Sequence, residues 1–223
     1  MQKFDTPTAI SAVLDIPAGR IQLIAADRTD TTVEILPTDG AKSRDVTAAE
    51  RIKVTYDAGV LRVQAAEPAR RFLGSSGSVE VTVQLPAGSR VEAEAASVEF
   101  RGVGRLGDVT FDGADGAVKL DETAQARLTL QSGDITVGRL NGPAQISTQR
   151  GNLTITEAVA GAVTLRTEQG DITIGATRDA SATLDAGTTY GRVRNELRNT
   201  DGAGAGLAIK ATTAHGDIVA RSL

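Results

Sequence analysis

The residues with the clearest potential for chemistry stand directly after a repeated glycine. Asp134, Asn152, Asp171 and Asp217 each follow a glycine and precede a short strand pattern. Carboxylate and amide oxygens are the ligands that Ca²⁺ prefers, and stacked turns of a repeat protein can present them to the ion. Calcium loops of that kind carry several oxygen ligands per short repeat, whereas each period here supplies one. The sequence therefore favours a structural role, in which each side chain bonds the backbone of its own turn, and keeps these four residues as calcium candidates.

A glycine-rich motif, Gly102–Gly107, matches the G-x-G-x-x-G pattern of dinucleotide-binding loops, and Asp121 follows it. That chemistry requires the loop to open a helix, whose N-terminus holds the pyrophosphate. Residues 108–112 alternate in polarity as a strand does. Without a helix the motif predicts turns, so no cofactor is expected.

Candidate catalytic groups are equally sparse. Asp112 and Asp115 could form a carboxylate pair of the kind that cleaves glycosidic bonds, but that reaction needs two carboxylates at a defined separation. The pair falls in a glycine-containing turn, where solvation accounts for both charges. His215 is the only histidine, and no nucleophile is linked to it by sequence. We therefore predict no catalytic residue and no enzymatic activity.

Composition excludes several classes of function. The 223 residues contain no cysteine, which removes disulfides and thiolate chemistry, and the net charge of −4 disfavours nucleic acid. The start of the chain lacks the apolar core of a secretory signal, and no run approaches ~18 apolar residues. The sequence thus predicts a cytoplasmic protein without membrane insertion, or an extracytoplasmic one if a signal was removed.

The elements that position the acidic turns form a repeat. Gly133, Gly151, Gly170, Gly191 and Gly216 recur every 18 to 25 residues, and Arg192 replaces the acidic residue after the fourth. Each glycine is followed by one alternating strand and preceded by another. A fixed-period strand repeat is the mark of a chain that coils on itself. The pattern predicts an all-β parallel β-solenoid, of the β-helix or β-roll kind, with two strands per coil over 97–223.

The first 96 residues predict a β-rich region that caps the solenoid and is continuous with it. Only 6 of the 24 glycines lie before residue 102, and the strand patterns there have longer connections. Two polar stretches, 40–50 and 67–77, predict surface loops. Helix is predicted to be almost absent, with one turn at most over Ala48–Lys53.

The repeat resembles a known bacterial family. The turn at Leu85–Gly88 followed by Gly-Asp-Ile/Val-Thr strands is similar to the "putative adhesin" family, a domain of unknown function (4097), over about residues 8–222. The resemblance implies a β-solenoid that is often extracytoplasmic and has no established enzymatic activity.

For function the sequence favours a non-catalytic interaction or scaffold module. Its partner is expected to be an unknown protein, or a second copy bound through the strand edge at Gly216–Leu223, because a solenoid exposes an unpaired edge at each uncapped end. Two alternatives stay open: an adhesin that binds surface glycans, and a carbohydrate-active β-helix enzyme.

Overall fold

The computed structural model of the protein describes residues 1–65 and 77–223, most of which lie in β-strands. The loop predicted over 67–77 lies outside the described residues except for Gly77. One helix, α1 (Ser43–Glu50), and one 3₁₀ turn (Gly202–Gly204) interrupt the strands. The strands are β1 Gln2–Asp5, β2 Ser11–Asp15, β3 Ala18–Ala26, β4 Asp30–Pro37, β5 Ile52–Asp57, β6 Val60–Ala65, β7 Val79–Pro86, β8 Arg90–Ser132, β9 Ile135–Leu140, β10 Ala144–Arg150, β11 Leu153–Ala158, β12 Gly161–Gln169, β13 Ile172–Ala176, β14 Ala182–Tyr190, β15 Val193–Glu196, β16 Leu207–His215 and β17 Ile218–Ser222.

The strands form the two faces of a flattened coil. Face A stacks β5, β6, β2, β8, β10, β12, β16 and β14, and face B stacks β1, β4, β7, β3, β8, β9, β11, β13, β17 and β15. β8 enters both faces because the strand continues through the corners of the coil, where Gly104 and Gly116 have positive φ angles of 80° and 136°. Every pairing from β8 to β17 is parallel, so the predicted solenoid with two strands per coil is confirmed.

Columns of like apolar residues fill the space between the faces. Ile135, Leu153, Ile172 and Ile218 occupy equivalent positions in successive coils of face B, and each is at most 1% exposed. Each buried side chain of this size stabilises the fold by about 1.5–3 kcal/mol. The column ends at Val193, which pairs with Ile218 and is 45% exposed because no further coil covers it.

The last two coils do not follow the order of the sequence. β16 lies between β12 and β14, and β17 lies between β13 and β15. The prediction that Gly216–Leu223 exposes the open edge is therefore wrong: this segment is inside the sheet, and the coil of 182–196 is at the end. The connection 197–206 is long enough to carry the chain back by one layer, where both strands of the returning coil gain partners on two sides.

The opposite end of the solenoid is capped, as the sequence predicts. β1 and β7 pair antiparallel with β4, and β5 pairs antiparallel with β6. Helix α1 contacts β4 and β7, with Ala48 and Ala49 packed against the core. The buried carboxylate of Asp45 accepts the backbone N–H of Ser78 at 3.0 Å. The prediction of a loop over 40–50 is therefore wrong for Ser43–Glu50, which forms a two-turn helix. Burial of its alanine side against the core stabilises that helix.

The division at residue 96 falls within a strand. β8 runs from Arg90 to Ser132 and pairs with the N-terminal strands β2 and β3 as well as with β9 and β10. The hydrophobic core is likewise one cluster from Ile10 to Ala220. The division of the chain into an N-terminal unit over 1–96 and a repeat unit over 97–223 stays a prediction. Strand β8 belongs to both of these ranges.

Candidate interaction surface

The acidic turn residues form a ladder of hydrogen bonds between coils. Asp134 Oδ1 accepts the backbone N–H of Asn152 at 2.7 Å, and Asn152 Oδ1 accepts that of Asp171 at 2.8 Å. Asp171 Oδ1 accepts the N–H of Asp217 at 2.8 Å. The bond predicted within each turn is therefore wrong. Stacking in register places the N–H of the equivalent residue one layer away, within direct reach of the side chain.

This ladder has a structural role that needs no ion. Each of the four calcium candidates uses one oxygen to hold the next coil, and the four stand one per layer along the stack. Within residues 1–65 and 77–223, no three His, Cys, Asp or Glu side chains lie close enough together to hold a metal ion.

A second ladder, which the sequence reading missed, satisfies the carbonyls of the repeated glycines. Threonine hydroxyls inside the corner donate to the glycine carbonyl of the neighbouring coil at 3.0–3.4 Å. The bonds are Thr148 to Gly133, Thr167 to Gly151, Thr213 to Gly170 and Thr188 to Gly216. Each threonine precedes the glycine of its own coil by three residues, so a T-x-x-G pattern in four of the five turns was the available signal.

Both ladders end at the coil of residues 182–196. Asp217 Oδ1 accepts the N–H of Arg192 at 2.9 Å, and Asp217 Oδ2 lies 3.3 Å from the Arg192 guanidinium. An arginine side chain has no acceptor, so it cannot hold a further coil. The break that the sequence shows at the fourth turn is thus the physical end of the stack.

Beyond this end lies an unpaired strand edge. We call β14 and β15 together the C-terminal edge. β14 pairs only with β16 and β15 only with β17 among the described strands, and all four residues of β15 are exposed. At the start of β14, the N–H of Ala182 donates to Arg198 O at 3.0 Å. The edge therefore offers free backbone groups along β15 and most of β14.

Apolar and aromatic groups accompany this edge. Val193 is 45% exposed and Tyr190 is 67% exposed. Leu223, at 41%, packs beside Gly175 one layer below. The Tyr190 ring stacks on the His215 ring with centroids 4.9 Å apart and an interplanar angle of 14°. The sole histidine thus supports an aromatic side chain at the edge.

The G-x-G-x-x-G segment has a structural place inside β8. The carboxylate of Asp121 accepts the backbone N–H of Gly104 at 3.2 Å and pairs with Arg101 at 2.6 Å. An added Cβ at Gly104 would lie 2.1 Å from the carbonyl oxygen of Ala25. The glycine is required by close approach of two coils, and the segment opens no helix.

Asp112 and Asp115, the sequence candidates for a carboxylate pair, are both exposed. Asp112 lines a shallow depression of about 450 Å³ with Asp15 and Glu94, whereas Asp115 does not line it. A larger groove of about 600 Å³ is lined by polar groups that include the ion pair of Arg90 and Asp108 at 3.1 Å. No aromatic side chain lines either concavity among the described residues.

Two carboxyl groups at the capped end have pKa values below their usual range. Hydrogen bonds from Arg28 and then Lys3 lower the pKa of Asp30 to about 2. The backbone N–H of Ala41 and the side chain of Lys42 lower the pKa of Asp39.

A family model described as Toastrack DUF4097 matches residues 11–220. The chain belongs to the Toastrack DUF4097 family. The family that the sequence resembles is thereby confirmed. This Toastrack chain matches no curated protein in sequence.

Solved structures similar to this Toastrack protein come from several bacteria. A "putative lipid binding protein" from Parabacteroides distasonis is 10% identical, with a TM-score of 0.47 over 98% of this chain and 95% of that chain. A "putative adhesin" from Bacteroides fragilis is 14% identical, with a TM-score of 0.41 over 100% and 95%. A "putative cell adhesion protein" from Clostridium sporogenes is 12% identical, with a TM-score of 0.38 over 100% and 98%. In the described part of the chain, no helix has the length and apolar character needed to cross a bilayer.

Proposed function

We propose that this Toastrack protein is a non-catalytic interaction module that binds a protein partner at the C-terminal edge. The observation that carries the proposal is that the strands of the last coil, β14 and β15, are each paired on one side only among the described strands. Its interior residue Val193 is 45% exposed, although the equivalent residue one layer below is fully buried. A partner strand added to this edge would cover Val193 and satisfy free backbone groups, which is how strand addition produces affinity.

The two ends of the solenoid differ in a way that supports this choice. Helix α1 and the antiparallel strands cover the core at the N-terminal end. At the C-terminal end, Leu184 and Ala186 of β14 are only partly buried, and the returning coil leaves β14 and β15 outermost. Natural proteins usually blunt an exposed edge, so an edge with exposed apolar groups marks a place where another chain pairs.

Glycan binding is the second candidate, and one observation favours it. Tyr190 is exposed and held rigid against His215, as an aromatic platform for a sugar ring would be. The polar groove beside Arg90 and Asp108 lies on face A and is lined by no aromatic residue, so it offers no platform of its own. The sugar-cleaving alternative has less support, because the depression lined by Asp112, Asp15 and Glu94 is not lined by Asp115.

The test is a comparison of partners retained by matched variants. Immobilised wild-type protein, Val193→Lys and Thr164→Lys would be exposed to a lysate of the source organism, and retained proteins identified by mass spectrometry. The lysine at 193 places a charge at the edge, whereas position 164 is an exposed site on the paired strand β12. A protein retained by wild type and Thr164→Lys but lost with Val193→Lys is the expected result.

Two other outcomes would contradict the proposal. Partners lost with neither variant would place the binding surface away from the C-terminal edge. Retention of cell-wall polysaccharide that is lost with Tyr190→Ala but kept by Val193→Lys would favour the glycan candidate. Circular dichroism of each variant would establish that the fold is intact before the comparison.

A further inference from the structure

We infer that the strand received by the C-terminal edge belongs to a second copy of this chain, with two β15 strands antiparallel and centred on Asn195. The inference rests on the proposed function and deepens it, because it names the partner and the register. It follows from the direction of the free backbone groups, from the order of charges along β15 and from the half-covered apolar position at its start.

The backbone of β15 limits how a second strand can pair. The N–H of Ile218 donates to the carbonyl of Arg192 at 2.9 Å, so Arg192 faces β17. Successive residues of a strand direct their N–H and C=O groups to opposite edges. The free groups on the open side therefore belong to Val193 and Asn195, and in an antiparallel pair these residues must face each other across the axis.

Several antiparallel registers bring the free backbone groups of the two strands together, and the charges along β15 select one of them. A pair centred on Asn195 sets Arg194 of each copy directly opposite Glu196 of the other, in the closely spaced positions of the ladder. Both side chains are exposed on the outer side of the strand, with side-chain exposures of 70% and 59%. A pair centred on Arg194 or on Glu196 brings that residue opposite its own copy, and one centred on Val193 sets Arg192 opposite Arg194. Among the residues of β15, the Asn195 centre alone matches opposite charges without bringing like charges together. It sets Arg192 opposite Arg198 of the other copy, but Arg198 lies beyond β15, where its N–H and C=O bond Ser222 and Ala182 of its own chain.

The same register covers the exposed apolar position. It sets Val193 of one copy opposite Leu197 of the other, and Leu197 is partly buried against the core directly after β15. The Leu197 N–H already donates to Asn195 Oδ1 at 3.1 Å, so this pair covers Val193 by side-chain contact without a backbone bond from Leu197. The two-fold axis that relates the β15 strands crosses both faces, so it also sets the two β14 strands antiparallel. A self-complementary contact of this type closes after two copies and does not propagate.

A charge-swap series tests the register. Arg194→Glu and Glu196→Arg each place like charges at both facing pairs, so each variant alone should weaken the dimer at least about tenfold in Kd. An equimolar mixture of the two variants should restore a heterodimer, and the double variant Arg194→Glu/Glu196→Arg should dimerise as wild type does. Sedimentation velocity over a concentration series measures all four samples, and Lys119→Glu, at an exposed position of β8, is the control for a charge change away from the edge.

Cross-linking supplies a second readout that does not depend on charge. The chain contains no cysteine, so introduced thiols have no other partner. Positions 194 and 196 of opposite copies would have Cα atoms about 4.5 Å apart, within the range for a disulfide. A mixture of Arg194→Cys and Glu196→Cys should form a disulfide-linked dimer on mild oxidation, whereas either variant alone should form far less.

Three results would overturn the inference. The first is a wild-type protein that stays monomeric at every concentration, and the second is a dimer whose Kd does not change with the charge swaps. The third is a mixture of Arg194→Cys and Glu196→Cys that cross-links no better than either variant alone. A monomer that still retains a Val193-dependent protein would leave the proposed function standing and remove only the second copy as its partner. A monomer that retains no edge-dependent protein would remove both.

Discussion

Replacement of Gly170 by alanine should destabilise the solenoid far more than an ordinary glycine substitution. The φ angle of Gly170 is +149°, and a Cβ at this position would lie 2.0 Å from the carbonyl oxygen of Gly151. The unfavourable φ costs about 1–2 kcal/mol. Separation of the two coils costs a further ~1–3 kcal/mol of overpacking. The contact would also disturb the Thr167 hydroxyl, which donates to the same oxygen at 3.0 Å, so we expect a loss of about 3–5 kcal/mol in total.

Two other glycines separate the contributions. Gly59 has φ of +81° but open space around its Cβ position, whereas Gly187 has open space and no positive φ, as judged from the described residues. Gly59→Ala should therefore lose about 1–2 kcal/mol from backbone strain alone. Gly187→Ala should stay within about 0.5 kcal/mol of wild type.

Equilibrium unfolding in urea, followed by far-ultraviolet circular dichroism, measures the three variants against wild type. The midpoints should fall in the order Gly187→Ala, Gly59→Ala, Gly170→Ala, with the last far below the others. A midpoint for Gly170→Ala equal to that for Gly59→Ala would refute the reasoning, because the contact with Gly151 would then carry no energy. A changed slope in any variant would signal an altered unfolding unit and require the thermal midpoint as a second measure.

Three further predictions concern single side chains. Thr167 is 2% exposed, and Thr167→Val should lower the free energy of unfolding by about 1–3 kcal/mol, because the carbonyl of Gly151 loses its hydroxyl donor. Thr164→Val on the outer side of the same strand should change it little. Asp171→Ala should lower the melting temperature whereas Asp171→Asn should keep it, because the amide retains the acceptor for the next coil, and millimolar Ca²⁺ should shift neither melt. Asp30 has its pKa lowered from 3.8 to about 2, so its stabilising contribution is complete above the unfolded pKa and is lost as pH falls through the folded one. The difference in urea midpoint between wild type and Asp30→Asn should stay constant from neutral pH to about pH 5 and shrink toward pH 2; a constant difference down to pH 2 would contradict the assigned pairing with Arg28.

Periodicity made most of the fold predictable. Glycine followed by a polar residue and an alternating strand specifies a corner and the face after it, and recurrence of this unit predicts that the coils stack in register. The strand patterns before residue 96 were predictable for the same reason, since alternation marks a strand with one buried side. Helix α1 was not predictable, because its eight residues gain their stability from contact with β4 and β7 and not from a pattern of their own.

The acidic ladder shows the limit of local reasoning. The residue types after each glycine were visible in the sequence, but the atom that each side chain bonds lies in a neighbouring coil 18 to 46 residues away. A turn considered by itself offers only its own backbone, so the sequence suggested a bond within the turn. The threonine ladder was missed for the same reason, since a buried hydroxyl has meaning only once the carbonyl of the next layer is in place.

The sequence by itself determined that this chain coils into a parallel solenoid with glycine corners and two strands per coil. Only the tertiary structure decided which coil is last. Residues 182–196 and 207–222 carry the same strand pattern and could each follow the coil of 161–176 by local criteria. Asp217 can accept a bond from one more coil and Arg192 cannot, so the stack is satisfied only when the chain returns and places Arg192 at the end. That choice, made by contacts between layers, moves the open edge from the C-terminus of the chain to β14 and β15.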